Sequence, residues 1–75
     1  MSIVVYSKPA CVQCKATYRE LAKYELEFTS IDVTEDPEAL AYVKSLGYES
    51  APVIVTDNDH WFGFSPDRIK ALVTA

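Results

Sequence analysis

Two cysteines, Cys11 and Cys14, stand where a run of β-branched and aromatic residues gives way to helical periodicity. Upstream, Ser2–Ser7 reads SIVVYS, the composition of a short buried strand. Pro9 breaks that run. From Cys11 onward the apolar spacing is helical. Cys14, Tyr18, Leu21 and Ala22 can share one face, with Lys15, Arg19 and Lys23 mostly on the others.

The rest of the chain is punctuated as clearly. Leu26–Val33 reads as a second strand. A helix follows, with Asp36 as its cap, Pro37 in the first helical position and Gly47 as the left-handed stop. Leu40, Val43 and Leu46 supply its apolar side. Pro52–Thr56 is a third strand, Asp57–Asp59 a turn, and residues 60–64 a fourth strand, so the last two form a hairpin. Ser65 can cap a final helix with Pro66 in its first turn and Ile69, Leu72 and Val73 facing inward. The order β-α-β-α-β-β-α makes the first two strands parallel and puts the first helix on one sheet face by a right-handed crossover. The hairpin adds an antiparallel edge. This is a minimal thioredoxin fold of class α/β, a four-stranded mixed sheet flanked by three helices.

Composition sets limits on function. The 75 residues leave room for one small domain, spanning 1–75, and its core is necessarily small. Apolar residues make up 49% of the chain, including five Tyr, three Phe and one Trp, so it folds rather than staying disordered. A formal net charge of -4 argues against nonspecific nucleic-acid binding. No stretch is long and apolar enough to span a membrane, and the first residues do not resemble a signal peptide. The expected compartment is the cytoplasm, where thiols are kept reduced.

Three chemistries suit two cysteines at this spacing. A structural bridge would close a very short loop and contribute only about 2 kcal/mol before strain. A zinc site needs about four ligands, and His60, the single histidine, belongs to the hairpin as a turn-edge imidazole. A redox pair fits best, because C-x-x-C opening a helix after a first strand is where such pairs occur. Unpaired N–H groups and the positive dipole end there favour a thiolate at Cys11, with Lys8 as a possible nearby charge or simply a solvated loop lysine. Cys14, one turn on and deeper, can then attack the mixed disulfide that Cys11 forms. Val12 and Gln13 carry no ionisable group, so they act on geometry and access.

Pro52 opens an internal strand, where it removes a ladder donor. A cis Ala51–Pro52 bond would account for it, and so would a trans proline on an edge strand.

With these motifs together the chain resembles the thioredoxin/glutaredoxin superfamily and, more narrowly, the NrdH-redoxins. CVQC followed by KAT, then GY with AP, then DHWFGFSPDRI carry the likeness, which covers nearly the whole chain. The resemblance implies that Cys11 attacks, Cys14 resolves, and Pro52 is cis and beside them, with Lys8, Pro9, Val12, Gln13 and Ala51 supporting the site. It implies electron donation to the large subunit of class Ib ribonucleotide reductase and recharging by thioredoxin reductase, in a protein expected to act as a monomer. Trp61, Phe62, Gly63 and Phe64 are the implied partner contacts, although at least one of Trp61 and Phe64 is expected in the core. The family pattern W-S-G-F-R-P-[DE] is altered here. Phe62 stands in place of Ser and Ser65 in place of Arg, so the arginine's hydrogen bonds do not carry over.

Gly47 and Gly63 are the only glycines, which excludes a dinucleotide or phosphate-binding glycine loop. No cofactor or metal is expected, and electrons must come from another protein. The paired glycines that help glutaredoxins hold glutathione are missing from FGFSPD, which disfavours glutathione as the reductant.

Overall fold

The computed structural model describes residues 2–74. Their elements are β1 (Val4–Ser7), α1 (Val12–Lys23), β2 (Thr29–Asp32), α2 (Pro37–Ser45), β3 (Val53–Val55), β4 (His60–Phe62) and α3 (Pro66–Thr74). The strands form one sheet in the order β2-β1-β3-β4. β1 and β2 are parallel, with Val4 opposite Thr29 and Ser7 opposite Asp32. β3 runs antiparallel to both β1 and β4. The expected thioredoxin fold is therefore present.

Strand register builds the core. Val5 lies opposite Ile54, and Ile54 opposite Trp61, so the three form one row on one sheet face. Leu21 of α1 and Ile69 of α3 close over this row together with Ile3, and none of the six is more than 5% exposed. Tyr18, Phe28 and Leu72 pack around the cluster, with the Tyr18 and Phe28 rings stacked at 5.3 Å. On the opposite face Tyr6 meets Tyr42 of α2, ring centroids 5.7 Å apart. Burial first, then Tyr42 and Asp36 nearby, raises the Tyr6 phenol above its ordinary value of 10.0.

The helix ends follow local rules. Asp36 Oδ1 accepts from the Ala39 N–H at 3.1 Å and Pro37 opens α2. At its far end Gly47, φ 93°, donates to the Lys44 carbonyl and Tyr48 to the Val43 carbonyl. This is a Schellman motif with glycine in the left-handed position. α1 ends in the same motif, with Glu25 donating to Ala22 and Leu26 to Leu21, each at 3.0 Å. Here the left-handed residue, φ 57°, is Glu25.

Several sequence expectations need correction. Ala22 is exposed, and Thr17 takes its place in the buried stripe with Cys14 and Leu21. Thr17 tolerates burial because its hydroxyl donates to the Gln13 carbonyl at 2.9 Å. Leu40 and Val73 also face outward, while Ala39 and Val43 are the buried residues of α2. The second strand begins at Thr29 rather than Leu26, because Glu25 and Leu26 are still engaged in closing α1. The fourth strand ends at Phe62, since Gly63 turns the chain away at φ 87°.

Candidate active site

The site lies where β1 hands over to α1. Ala10 adopts φ 58°, a left-handed conformation that turns the chain sharply before Cys11. Cys11 is extended, φ -99° and ψ 108°, and serves as the N-cap of α1. Its Sγ accepts a hydrogen bond from the Cys14 backbone N–H at 3.1 Å. One of the unpaired N–H groups at the helix start is thus satisfied by sulfur where a serine or aspartate oxygen would usually serve.

Cys11 and Cys14 are joined as a disulfide, their Cα atoms 5.2 Å apart. Both sit low in the surface, Cys11 8% and Cys14 2% exposed, so Cys11 is the more accessible of the two. Between them Val12 stands 81% exposed, and Gln13 is exposed as well.

Pro52 is buried, and its bond to Ala51 is cis. The Pro52 carbonyl accepts from the Gly63 N–H at 2.9 Å, which carries the β3–β4 pairing one step past β4. The next N–H along, that of Phe64, donates to Gln13 Oε1 at 3.2 Å. A Cβ on Gly63 would come within 3.4 Å of the same oxygen. Residues 63 and 64 therefore connect the proline loop with the segment between the cysteines. Sequence reasoning singled out Gln13 and Gly63 separately and missed this link, which spans 51 positions.

Of the partner-contact residues inferred from sequence, Phe62 and Phe64 are 50% and 39% exposed. Trp61 is not part of that patch. The Val5–Ile54–Trp61 row places it on the covered face, 5% exposed. Its Nε1–H has no hydrogen-bond partner among the described residues. The Arg68 guanidinium lies 5.6 Å from its ring centre and pairs with Asp59 at 2.8 Å. Lys8 and Pro9 are exposed. Lys8 and Ala51 line a cavity of about 170 Å³ with Val43, Lys44 and Tyr48. His60 Nδ1 shares a hydrogen bond with the Tyr48 hydroxyl at 2.7 Å. Among the described residues no group of three or more His, Cys, Asp or Glu is placed to hold a metal ion.

Comparison with known proteins decides which of the three cysteine chemistries applies. The glutaredoxin family pattern matches residues 3–61. The glutaredoxin-like protein NrdH of Lactococcus lactis is 37% identical over 70 residues, 93% of this chain and 97% of the relative. The glutaredoxin-like protein NrdH of Escherichia coli is 36% identical over 72 residues, 96% of this chain and 89% of the relative.

The chain belongs to the glutaredoxin family, among its NrdH-type redoxins.

The solved structure of the Escherichia coli NrdH-redoxin, described as a glutaredoxin-like protein with a thioredoxin-like activity profile, superposes with a TM-score of 0.92. It is 36% identical and covers 96% of this chain and 95% of that one. The Cys11–Cys14 disulfide of this redoxin is accordingly a redox-active pair, and the protein is an electron carrier. No helix of the described residues is long and apolar enough to cross a membrane.

Proposed function

We propose that this redoxin carries electrons from thioredoxin reductase to the large subunit of a class Ib ribonucleotide reductase in the cytoplasm. The observation that carries the chemistry is the N-cap geometry, in which Cys11 Sγ is hydrogen-bonded to the Cys14 N–H at the start of α1. After reduction, the same N–H and the helix start stabilise a thiolate at Cys11. That thiolate attacks one sulfur of the partner's disulfide, forming a mixed disulfide and releasing the partner's other sulfur as a thiolate. Cys14, as its thiolate, attacks the Cys11 sulfur and expels the partner's second thiolate. Two electrons pass to the partner, and the Cys11–Cys14 disulfide is regenerated.

Recharging runs the same exchange in reverse with thioredoxin reductase as the dithiol. Lys8, Pro9, Val12, Gln13, Ala51 and Pro52 are the residues proposed to support the exchange. The half-exposed rings of Phe62 and Phe64, with Val12, offer apolar surface to a partner. Trp61 supports that surface from the core.

The test follows NADPH oxidation in the presence of a disulfide acceptor. One arm supplies thioredoxin reductase, the other glutathione with glutathione reductase. Turnover is expected in the first arm and little in the second. Turnover with glutathione alone would make the protein a glutathione-dependent glutaredoxin. Adding class Ib ribonucleotide reductase to the first arm should then support deoxyribonucleotide formation.

A further inference from the structure

We propose that Gln13 is a positioning residue for protein disulfides. Its side-chain carbonyl locks the Phe62–Phe64 segment beside the Cys11–Cys14 pair, which makes it a determinant of macromolecular over small disulfide substrates. The inference rests on the redoxin reading and deepens it.

β4 ends at Phe62, so the backbone of residues 63 and 64 lies beyond the strand ladder. Two consecutive N–H groups hold it. Gly63 donates to Pro52 at 2.9 Å, and Phe64 donates to Gln13 Oε1 at 3.2 Å. The first bond ties the segment to the sheet. The second ties it to α1 at Gln13, which lies between the two cysteines and next to Cys14. Gly63 suits this position because it holds φ 87°, and an added Cβ would sit 3.4 Å from Gln13 Oε1, at the edge of ordinary contact.

The rings on either side of Gly63 are half-exposed, and Tyr48 stacks on Phe62 at a centroid distance of 6.4 Å. Their placement relative to Cys11 is fixed through the backbone that Gln13 holds. A small disulfide needs only access to the Cys11 sulfur. A protein disulfide brings flanking residues that must seat on the surface around it, so its productive binding depends on where Phe62 and Phe64 stand. Gln13 acts on the Phe64 N–H through its carbonyl, and a methionine of similar shape offers only a weak sulfur acceptor in its place.

The experiment compares wild type, Gln13→Met and Gln13→Glu as full chains. Reduction of insulin, driven by dithiothreitol, reports a protein disulfide. Reduction of 5,5′-dithiobis(2-nitrobenzoate) reports a small one. The ratio of the two kcat/KM or second-order rate constants is the readout, because a carboxylate at position 13 would alter Cys11 itself in both assays. Loss of one hydrogen bond should lower this ratio about 3- to 10-fold in Gln13→Met, mainly through KM for insulin. Gln13→Glu keeps an acceptor and should restore the ratio to within about twofold of wild type. Amide exchange of Phe64, followed by NMR, should speed up in Gln13→Met and return in Gln13→Glu. An unchanged ratio in Gln13→Met, an equal loss in both variants, or unchanged Phe64 exchange would overturn the proposal. Failure of thioredoxin reductase to recharge wild type would overturn the electron-donor reading instead. The insulin comparison would still decide the role of Gln13.

Discussion

The Cys14 backbone N–H donates to Cys11 Sγ at 3.1 Å, so the side chain that caps α1 is also one half of the redox disulfide. If the reduced protein keeps this cap, its acceptor improves when the sulfur is ionised, since hydrogen bonds to charged groups are the stronger ones. The Cys11 thiol of the reduced protein is therefore expected to titrate below the free-cysteine value of about 8.5. The rate of iodoacetamide alkylation against pH, with the modified residue identified by mass spectrometry, measures this. Faster modification of Cys14 than Cys11 at pH near neutrality would reverse their roles.

The two Schellman motifs give a matched pair of stability predictions. Gly47 and Glu25 occupy the same left-handed position, at φ 93° and φ 57°. Glu25→Gly removes a Cβ penalty and should stabilise the fold by about 1 kcal/mol, reduced somewhat by the greater freedom of glycine in the unfolded chain. Gly47→Ala should cost about 1 kcal/mol, a purely backbone effect because an added Cβ meets nothing within 4 Å. Urea unfolding of the two variants should show midpoint shifts of opposite sign. Shifts of the same sign would mean that the side chains, not the backbone conformation, dominate at these sites.

These ends also show which features were legible in the sequence. Asp36, Pro37 and Gly47 are local signals, each read within a few residues, and they bounded α2 correctly. The end of α1 carries the same hydrogen bonds with no glycine to announce it, so the sequence pattern extends the second strand back to Leu26. Ala22, Leu40 and Val73 each lie at the margin of an apolar stripe, where helical spacing alone allows either neighbour to turn inward. Packing chose Thr17 and Ala39 instead, and Thr17 qualifies only because its hydroxyl is satisfied within the helix. The cysteine pair was legible because C-x-x-C at a strand–helix junction is itself a local pattern. The bond from Phe64 to Gln13 and the burial of Trp61 depend on strand register and loop path, which no local pattern records.

Tyr6 sets an expectation for alkaline solution. Its phenol is raised above 10.0 by burial and then by Tyr42 and Asp36, so the folded state holds this proton more tightly than the unfolded chain. The associated stability is complete below the unfolded value and is lost as pH rises through the higher folded value. Tyr6→Phe removes the titrating group. Wild type should therefore lose stability relative to Tyr6→Phe only above about pH 10, the ordinary tyrosine value. Parallel unfolding curves for the two proteins across that range would contradict the assignment.

Asymmetry between the two sulfurs yields the strongest test of the exchange mechanism. Cys11 is the more accessible, and it receives the N–H of the helix start, whereas Cys14 is nearly fully buried in the first turn. Exchange rates follow access and thiolate fraction together, which assigns the first attack to Cys11. Cys14→Ser leaves that attack in place and removes the resolving thiol. It should accumulate as a mixed disulfide through Cys11, with class Ib ribonucleotide reductase as the proposed partner. Cys11→Ser should abolish reduction and trap nothing, because the remaining thiol is buried and lacks the helix-start position. Non-reducing electrophoresis followed by peptide mapping distinguishes the outcomes. Capture of other disulfide proteins without the reductase would keep the carrier chemistry and defeat the partner. A trap formed equally well by Cys11→Ser would defeat the order of attack, because the helix-start sulfur would then hold no kinetic advantage over the buried one.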